Sequence, residues 1–517
     1  MISTSVFKLI RYSVGLALWI LPVFAGSSNE WLTWGYDPER TGWNPAEAAL
    51  SKDNVSRLEL KWKVQLPTPP NEVILSTLAS PLVANVSGPQ GSRTLVFVTG
   101  SDDTVYAIDS ATGKIAWQRR FPNTLTPKQR ASWLCSNSQN ATSVIDKDAG
   151  IIYVSTSDGK LRGLSLTNGE ERIPPSDFTT PFARNWSLNL IDQVVYTATP
   201  RGCGGAISHF TALDLSHPNR RVVEFYTSAG RPSGAWGRGA FARGPAGVYA
   251  MTADGPYDPA SGQFGNTFMA LSFKDLRLLD SYTPPNWEAL DGKDLDLGVS
   301  SPLVFPFGTG TLVAGSAKEG IIYLLDAENL GGADHHTPLY QSARLGNDEA
   351  KYDGRGFWGA MATWQDKDGK RWLLAPLWGP PSKTAPKFAS THGNADQGSI
   401  MAFEVRRDPG NDKPTLFPAW ESRDMHVPDP PVVANGVVYA LQTGENTAQG
   451  RGATAKFRST AITNAILYDL DAQTGQELYS SEKLIDSWTH FSEPVVAGGQ
   501  IYVCTWDARV YAFGLKK

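Results

Sequence analysis

The chain is poor in the residues that carry haem, thiol and imidazole chemistry, with 3 cysteines and 7 histidines among 517 residues. No C-x-x-C-H stretch occurs, which excludes a covalently attached c-type haem. Neither sign of charge dominates, because 47 basic and 51 acidic residues leave a net charge of −4. The sequence therefore predicts no surface for nucleic acid or anionic lipid. Walker, G-x-S-x-G, H-E-x-x-H and dinucleotide-binding motifs are also missing.

The N-terminal residues have the pattern of a secretory signal. Lys8 and Arg11 precede the apolar run YSVGLALWILPVF, and small residues end at Ala25. This pattern predicts a signal peptide over 1–25, removed after Ala25. An N-terminal membrane anchor is the alternative, although the apolar run is short for a span. We expect the mature chain, 26–517, to be exported to the periplasm or the extracellular space. No later apolar run is long enough to cross a bilayer.

One strand–turn–strand pattern recurs along the chain. Glycine, proline and tryptophan are abundant, with 49, 35 and 17 copies, which favours turned strands with aromatic packing. Copies of the pattern lie at 105–117, 161–172, 210–225, 268–282, 322–332, 400–405, 467–479 and 510–515. A spacing of about fifty residues is typical of propeller blades. We predict a single all-β domain over 26–517, an eight-bladed β-propeller with four antiparallel strands per blade. An array of β-sandwiches is the alternative.

The turns and the ring closure can also be predicted. In DSATGK, Asp109 can accept a backbone hydrogen bond, and Gly113 can supply the positive φ that the hairpin requires. The last copy, VYAFGLKK, ends before its partner strand, whereas LELKWKVQL at 58–66 has no hairpin half before it. We expect these two segments to pair and close the ring, which also removes exposed strand edges.

The turn DSATGKIAW at 109–117 resembles the tryptophan-docking repeat of the pyrroloquinoline quinone (PQQ) dehydrogenase superfamily. The stretch WLTWGYDPERTGWNP, with the following NVSRLELKW, resembles the opening of the same eight-bladed superfamily. The resemblance implies oxidation of an alcohol by PQQ in the central channel. Without haem, the protein would pass electrons to a separate acceptor such as a cytochrome c. The same fold hosts a non-catalytic scaffold of outer-membrane assembly, so the fold alone does not decide the function.

The resemblance also implies roles for individual residues. Trp236 in GAWGRG falls where the family's tryptophan stacks on the cofactor, and Lys318 in SAKEG matches a lysine that contacts the quinone oxygens. In DLDLG, Asp294 corresponds to the catalytic base and Asp296 to an added metal ligand of the lanthanide-dependent branch. On a strand, positions i and i+2 share a face, so both carboxylates could meet one ion. The structural alternatives are a core or rim tryptophan, a solvated turn lysine and two exposed aspartates.

The sequence departs from the family at several positions. Ile207 stands where the family has a metal-binding glutamate, and TADGP replaces the asparagine turn, so that Asp254 could ligate only with a shift of one residue. Asp254, Asp294 and Asp296 would then form an oxygen-rich set suited to Ca²⁺ or a lanthanide. The vicinal cysteine pair is absent. We favour a Cys135–Cys203 disulfide at the same end of the channel, with unpaired buried thiols as the alternative.

These departures leave three functional hypotheses open. The leading one is an exported, PQQ-dependent oxidoreductase acting on a small alcohol. A cofactor-free propeller scaffold that binds proteins in the cell envelope is the alternative that Ile207 and the altered TADGP turn favour. A propeller enzyme of the carbohydrate or lyase type, using the same channel acids, has no support beyond the acids themselves.

Overall fold

Eight blades, each built on four antiparallel strands, form a β-propeller, as predicted from the repeats, and short extra strands extend the sheets of blades 6 and 7. The computed structural model describes residues 29–71, 77–88, 91–132, 135–139, 141–200, 202–217, 219–228, 233–448 and 454–516. The predicted signal peptide, 1–25, lies outside these residues. Within them, no helix is long and apolar enough to cross a membrane.

Each blade begins with its innermost strand and ends with its outermost one, except that the outermost strand of blade 8 comes from the N-terminal part of the chain. The strands of blades 1 to 4 are Leu82–Gly88, Gly91–Thr99, Thr104–Asp109 and Ile115–Arg120; Val144–Asp146, Ile151–Ser155, Lys160–Ser165 and Glu171–Asp177; Asn189–Ile191, Val194–Thr199, His209–Asp214 and Val222–Tyr226; Ala242–Arg243, Gly247–Met251, Phe268–Ser272 and Leu278–Tyr282. Those of blades 5 to 8 are Leu303–Phe307, Gly310–Ser316, Ile322–Asp326 and Tyr340–Gln341; Ala362–Gln365, Arg371–Trp378, Gly398–Arg407 and Pro414–Glu421; Val432–Ala434, Val437–Gln442, Ile466–Asp471 and Glu477–Ser480; Val495–Ala497, Gln500–Cys504, Arg509–Leu515 and Leu58–Gln65.

Short elements decorate the blades. Two-residue strands lie at Trp43–Asn44, Tyr257–Asp258, Gln263–Phe264, Gly356–Phe357 and Ser390–Thr391. The described α-helices are Trp287–Lys293 and Ala455–Thr460, and 3-10 turns lie at Val55–Arg57, Cys203–Gly205, Pro259–Ser261 and Gly332–Asp334.

A disulfide joins Cys135 to Cys203, whose Cα atoms are 5.0 Å apart, so the favoured pairing is the one found. The third cysteine, Cys504, is a buried thiol.

Ring closure follows the prediction. Leu58–Gln65 pairs antiparallel with Arg509–Leu515, so the outermost strand of blade 8 precedes blade 1 in the chain. The pairing gives blade 8 its fourth strand, so that every blade has four strands. Neighbouring blades pack face to face. The apolar side chains on the facing sides of their strands form contiguous buried clusters.

Outer-strand tryptophans dock on the turn glycines of the next blade. The indole N–H of Trp420 donates to the Ala472 carbonyl at 3.1 Å, and Trp117 does the same to Leu166 at 3.0 Å. A Cβ atom on Gly475 would come within 2.5 Å of the Trp420 ring. Gly475 therefore has two roles: it adopts the positive φ of 76° that the turn requires, and it leaves room for the Trp420 indole.

A second closure runs inside the ring. The segment Trp31–Asn44 contacts the innermost strands of blades 1 to 8 in chain order, one blade after another. Its partners on those strands are Val83, Ile145, Asn189, Arg243, Val304, Thr363, Val433 and Val496. Arg40, which is 1% exposed, anchors this segment by donating to the carbonyls of Trp34, Leu188, Gly239 and Phe241 and to the Thr33 hydroxyl.

Substitution of Gly475 by alanine should destabilise the protein more than the same change at Gly436. Both glycines have φ near 76°, but no atom lies within 4 Å of the position that a Cβ on Gly436 would take. We expect Gly436→Ala to cost about 1 kcal/mol for the backbone conformation. Gly475→Ala should cost a further ~1–3 kcal/mol, because the methyl group collides with Trp420. Denaturant unfolding measures both losses, and equal losses would contradict tryptophan docking.

Arg40→Lys should weaken folding although it keeps the charge. A lysine has three donors and cannot replace the five N–H groups that a guanidinium offers. Buried carbonyls left without donors should cost roughly 2–4 kcal/mol. Denaturant unfolding of this variant is compared with that of Arg57→Lys, an exposed arginine with no side-chain role in this segment. A loss no larger than that of the control would refute the anchoring role.

Candidate functional site

Two aspartates and a lysine form the centre of the candidate site. The Lys318 Nζ atom lies 2.5 Å from Asp296 Oδ2 and 3.1 Å from Asp294 Oδ1, and it also donates to the Asp294 carbonyl at 3.2 Å. Lys318 and Asp296 are each 3% exposed, whereas the Asp294 side chain is 46% exposed. The cluster is thus a buried ion pair with one carboxylate at its open edge.

The aspartates meet through a helix end rather than through a strand. The helix Trp287–Lys293 ends at Asp294, which takes the left-handed conformation with φ 55°. Leu295 and Leu297, both buried, anchor the following loop in the core and hold Asp296 between them. The expectation that i and i+2 share a strand face is therefore wrong, although the two carboxylates do converge. A short helix followed by a leucine-anchored loop brings them together instead.

Burial and charge set the protonation of the cluster. Burial raises the pKa of Asp294 to about 6, and the neighbouring Asp296 adds to the increase, while Lys318 opposes it. Burial alone would lower the pKa of Lys318, but the two carboxylates reverse that effect and raise the pKa above its ordinary value. Lys318 therefore stays charged, and Asp294 is a carboxyl group poised to exchange a proton near neutral pH.

Two aromatic rings contact the ammonium group. The Lys318 Nζ atom lies 4.4 Å from the ring centres of both Tyr352 and Trp358, and Trp358 stacks on Trp378 with an interplanar angle of 3°. This approach depends on Gly356, because a Cβ atom there would lie 1.9 Å from the Lys318 carbonyl oxygen. The lysine is thus held by cation–π contacts as well as by its carboxylate partners.

Asp254 completes the acidic group that the sequence predicted. Its backbone N–H donates to Asp296 Oδ1 at 3.0 Å, and one oxygen from each of Asp254, Asp294 and Asp296 lies within 4.8 Å of the others. These three residues are the one group of potential metal ligands found in the described part of the chain. Ile207 adds nothing to the group, since its side chain is 52% exposed.

Trp236 belongs to the same wall of the channel. Its backbone N–H donates to the Gly298 carbonyl at 2.9 Å, two residues beyond Asp296, and its ring meets the edge of Trp186 at 6.3 Å. The next residue, Gly237, passes so close to the Ser300 backbone that a Cβ atom would lie 2.2 Å from its oxygen. The structure therefore brings the predicted tryptophan and the aspartate loop into direct backbone contact.

A buried charge cluster near the axis was not predicted. Two residues beyond Trp236, Arg238 forms ion pairs with Asp429 at 2.7 Å and with Glu493 at 2.5 Å. The Glu493 carboxylate also accepts the indole N–H of Trp34 at 2.7 Å. Blades 4, 7 and 8 are thereby tied together across the ring.

A second part of this cluster lies beside the site. Glu445 accepts a hydrogen bond from His490 and lies 3.7 Å from the Arg458 guanidinium. Burial lowers the pKa of His490 to about 4, against the opposing pull of Glu445, so the imidazole is neutral at pH 7. Arg184 lies over the Trp186 ring at 4.7 Å, and burial, aided by Arg458, lowers its pKa to about 10.

The adjacent histidines His335 and His336 have structural partners. The side chains of His335 and His336 each lie within hydrogen-bond distance of a backbone carbonyl, that of Ser281 at 3.1 Å and that of Thr283 at 2.7 Å.

Comparison with known proteins confirms the resemblance inferred from the sequence. The family model of the outer membrane protein assembly factor BamB matches residues 59–191. The quinohemoprotein alcohol dehydrogenase ADH-IIG of Pseudomonas putida is 26% identical over 208 residues, which are 39% of this chain and 26% of that protein. The 1-butanol dehydrogenase (cytochrome c) of Thauera butanivorans is 25% identical over 217 residues, 41% of this chain and 29% of that protein. The chain thus matches less than a third of the length of these relatives.

Solved structures agree with the fold at low sequence identity. The quinohemoprotein alcohol dehydrogenase of Comamonas testosteroni has a TM-score of 0.58 at 15% identity, over 95% of this chain and 81% of that one. A europium-containing methanol dehydrogenase has a TM-score of 0.59 at 13% identity, over 94% and 98%. At these identities the likeness establishes the fold alone. The chain is an eight-bladed propeller that is similar in fold to these PQQ dehydrogenase structures.

Stability should fall between pH 7 and pH 5 because of His490. Its pKa is about 4 in the folded protein and 6.5 ordinarily, so below pH 6.5 the unfolded chain binds a proton that the folded chain does not. The resulting loss is about 2 kcal/mol at pH 5. Denaturant unfolding of the wild type and of His490→Gln at both pH values measures the difference, since the variant lacks this titration. Equal losses in the two proteins would contradict the assignment.

Proposed function

We propose that the chain is a quinoprotein-like oxidoreductase that oxidises an alcohol with PQQ in the central channel. The observation that carries the proposal is Asp294, a half-exposed carboxyl group of raised pKa, bonded to the buried Lys318 ammonium on the same wall as Trp236. A proton acceptor, a cationic hydrogen-bond donor and an aromatic face are what a quinone-dependent alcohol oxidation requires of its protein.

The residues around the site fit a planar, anionic cofactor. Trp236 is only partly buried and can offer a ring face, while the Arg184 and Arg458 guanidiniums supply positive charge beside the channel. Planar guanidinium groups suit carboxylates such as those that PQQ carries. Neither arginine was predicted from the sequence.

PQQ, when bound, would accept the two electrons of the oxidation as a hydride from the alcohol carbon. Asp294 would take the hydroxyl proton, because its carboxylate lies at the open edge of the cluster and its pKa lies close to neutrality. Lys318 would donate a hydrogen bond to the oxygen that gains negative charge. Asp296, fully enclosed, would keep the ammonium charged and oriented throughout.

The predicted metal set stays a prediction. Asp254, Asp294 and Asp296 could offer carboxylate oxygens to Ca²⁺ or a lanthanide, but the Lys318 ammonium already lies among them. We therefore assign no catalytic step to a metal ion.

Export, substrate and acceptor belong to the same proposal. We propose a small alcohol as substrate and a separate acceptor such as a cytochrome c, reached in the periplasm or outside the cell. The matched relatives support this choice, since their names include alcohol dehydrogenase and cytochrome c-linked butanol dehydrogenase.

A scaffold function in the cell envelope is the second candidate. The match of residues 59–191 to the BamB family model favours it, as does the absence of an acid at Ile207. The two candidates differ in one measurable property, because a scaffold has no use for PQQ. Saturable PQQ binding, followed by quenching of tryptophan emission, would support the enzyme, and no binding with or without Ca²⁺ would exclude it.

Asp294→Asn should abolish turnover and spare cofactor binding. Loss of a general base typically lowers the rate by roughly 10²–10⁴-fold, whereas the PQQ affinity should change by less than about threefold because the carboxamide keeps the shape. Dye-linked alcohol oxidation and emission quenching measure the two effects. Asp177→Asn, whose side chain is 92% exposed on an outer strand, is the matched control. Full turnover in Asp294→Asn would refute the assignment of the base.

A further inference from the structure

We propose that the ammonium group of Lys318 occupies the cation position of the Asp254–Asp294–Asp296 cluster, so that this chain excludes Ca²⁺ and lanthanide ions from it. The sequence resemblance predicted a metal here, and the structure places a side chain of the protein itself among the predicted ligands. The exclusion of metal stands on the geometry alone. Its consequence, that PQQ would bind without a metal, rests on the proposed function.

Lys318 bridges the carboxylates as a metal ion would. An ammonium group has three N–H donors. Here the Asp296 carboxylate, the Asp294 carboxylate and the Asp294 carbonyl accept all of them, at 2.5, 3.1 and 3.2 Å. The mutual repulsion of two close carboxylates, which would otherwise call for a bound cation, is already offset by a fixed positive charge.

A metal ion would have to share this space with the ammonium charge. Repulsion grows with the product of the charges, so at the same distance Ca²⁺ is repelled twice as strongly as a monovalent ion and a lanthanide three times as strongly. The surrounding groups offer little screening, because Lys318 and Asp296 are both 3% exposed. The ammonium charge therefore cancels part of the attraction that the three carboxylates would otherwise exert on such an ion.

The ligand set is also too small for a hard cation. Such ions usually take about six to eight oxygens. The described residues bring three carboxylates together, and both oxygens of Asp296 already accept hydrogen bonds, one from Lys318 and one from the Asp254 N–H. The position of the expected glutamate holds Ile207, whose side chain is exposed.

Lys318 is fixed in place from several directions. Its backbone N–H donates to the Asp296 carbonyl at 3.2 Å, and its own carbonyl accepts from the Asn347 amide at 2.8 Å. The rings of Tyr352 and Trp358, which pack against each other, both contact the ammonium. Displacing the side chain would cost the ammonium its cation–π contacts and its three hydrogen bonds together, while the backbone bonds hold the start of the side chain in place.

Titration of the purified full chain with Tb³⁺ alone, without PQQ or alcohol, tests the proposal. Tryptophan-sensitised emission reports a bound ion. The wild type should show no saturable emission at low-micromolar Tb³⁺. Lys318→Met, which keeps the length and removes the charge, should gain saturable binding at least tenfold tighter than any seen in the wild type. Combining it with Asp296→Asn should remove the gain, and Lys293→Met, an exposed lysine at the end of the neighbouring helix, should behave as the wild type.

Two results would overturn the proposal. One is stoichiometric Tb³⁺ binding by the wild type that Asp296→Asn abolishes; the other is a folded Lys318→Met variant that binds no better than the wild type. If that variant does not fold, Lys318→Arg retains the charge and should still exclude the ion, and binding by it would count against the proposal. A separate PQQ titration in the presence of a chelator shows whether the proposed function fails, independently of the Tb³⁺ result.

Discussion

The arrangement of the eight blades depends most on the contacts that the segment Trp31–Asn44 makes with their innermost strands. Every innermost strand of a propeller has a free edge facing the axis, and its backbone groups need partners. This segment supplies them to all eight blades in sequence and is itself anchored by Arg40. The outer closure, Leu58–Gln65 with Arg509–Leu515, joins the ends of the ring, whereas this inner one fixes the blades relative to one another.

The charge cluster near the axis links that inner segment to the site. Trp34 bonds to Glu493, Glu493 pairs with Arg238, and Arg238 follows Trp236 by two residues. Buried ion pairs are weak evidence for stability, because desolvation can exceed the attraction. Their effect here is positional: each partner comes from a different blade, so a shift of one blade would break a buried pair. The segment that carries Trp236 is therefore fixed by the ion pairs of Arg238 as well as by its backbone contact with Gly298.

The sequence predicted the blades because hairpin turns are local, and a turn such as the one at Asp109 repeats with the period of the fold. It also predicted that Asp294 and Asp296 converge, but from strand alternation, whereas a helix end and two anchored leucines bring them together. The axial cluster was missed because its members are distant in sequence. A signal existed for one member: the innermost strand of blade 8 follows Glu493 in EPVVA, where SPLVA at 80–84 has serine. An acid in place of a serine before a buried strand indicates a buried partner.

Because Lys318 has only three N–H donors, its two aspartate partners have different roles. All three N–H groups are in use, so a substrate or cofactor oxygen can gain a hydrogen bond only by replacing one. The long bonds to Asp294 are the ones that can be given up, since Asp296 is enclosed and holds the shortest contact. Releasing Asp294 from the ammonium raises its affinity for a proton further. The arrival of an oxygen at Lys318 would therefore strengthen Asp294 as a base, and binding and proton transfer would be coupled through one side chain.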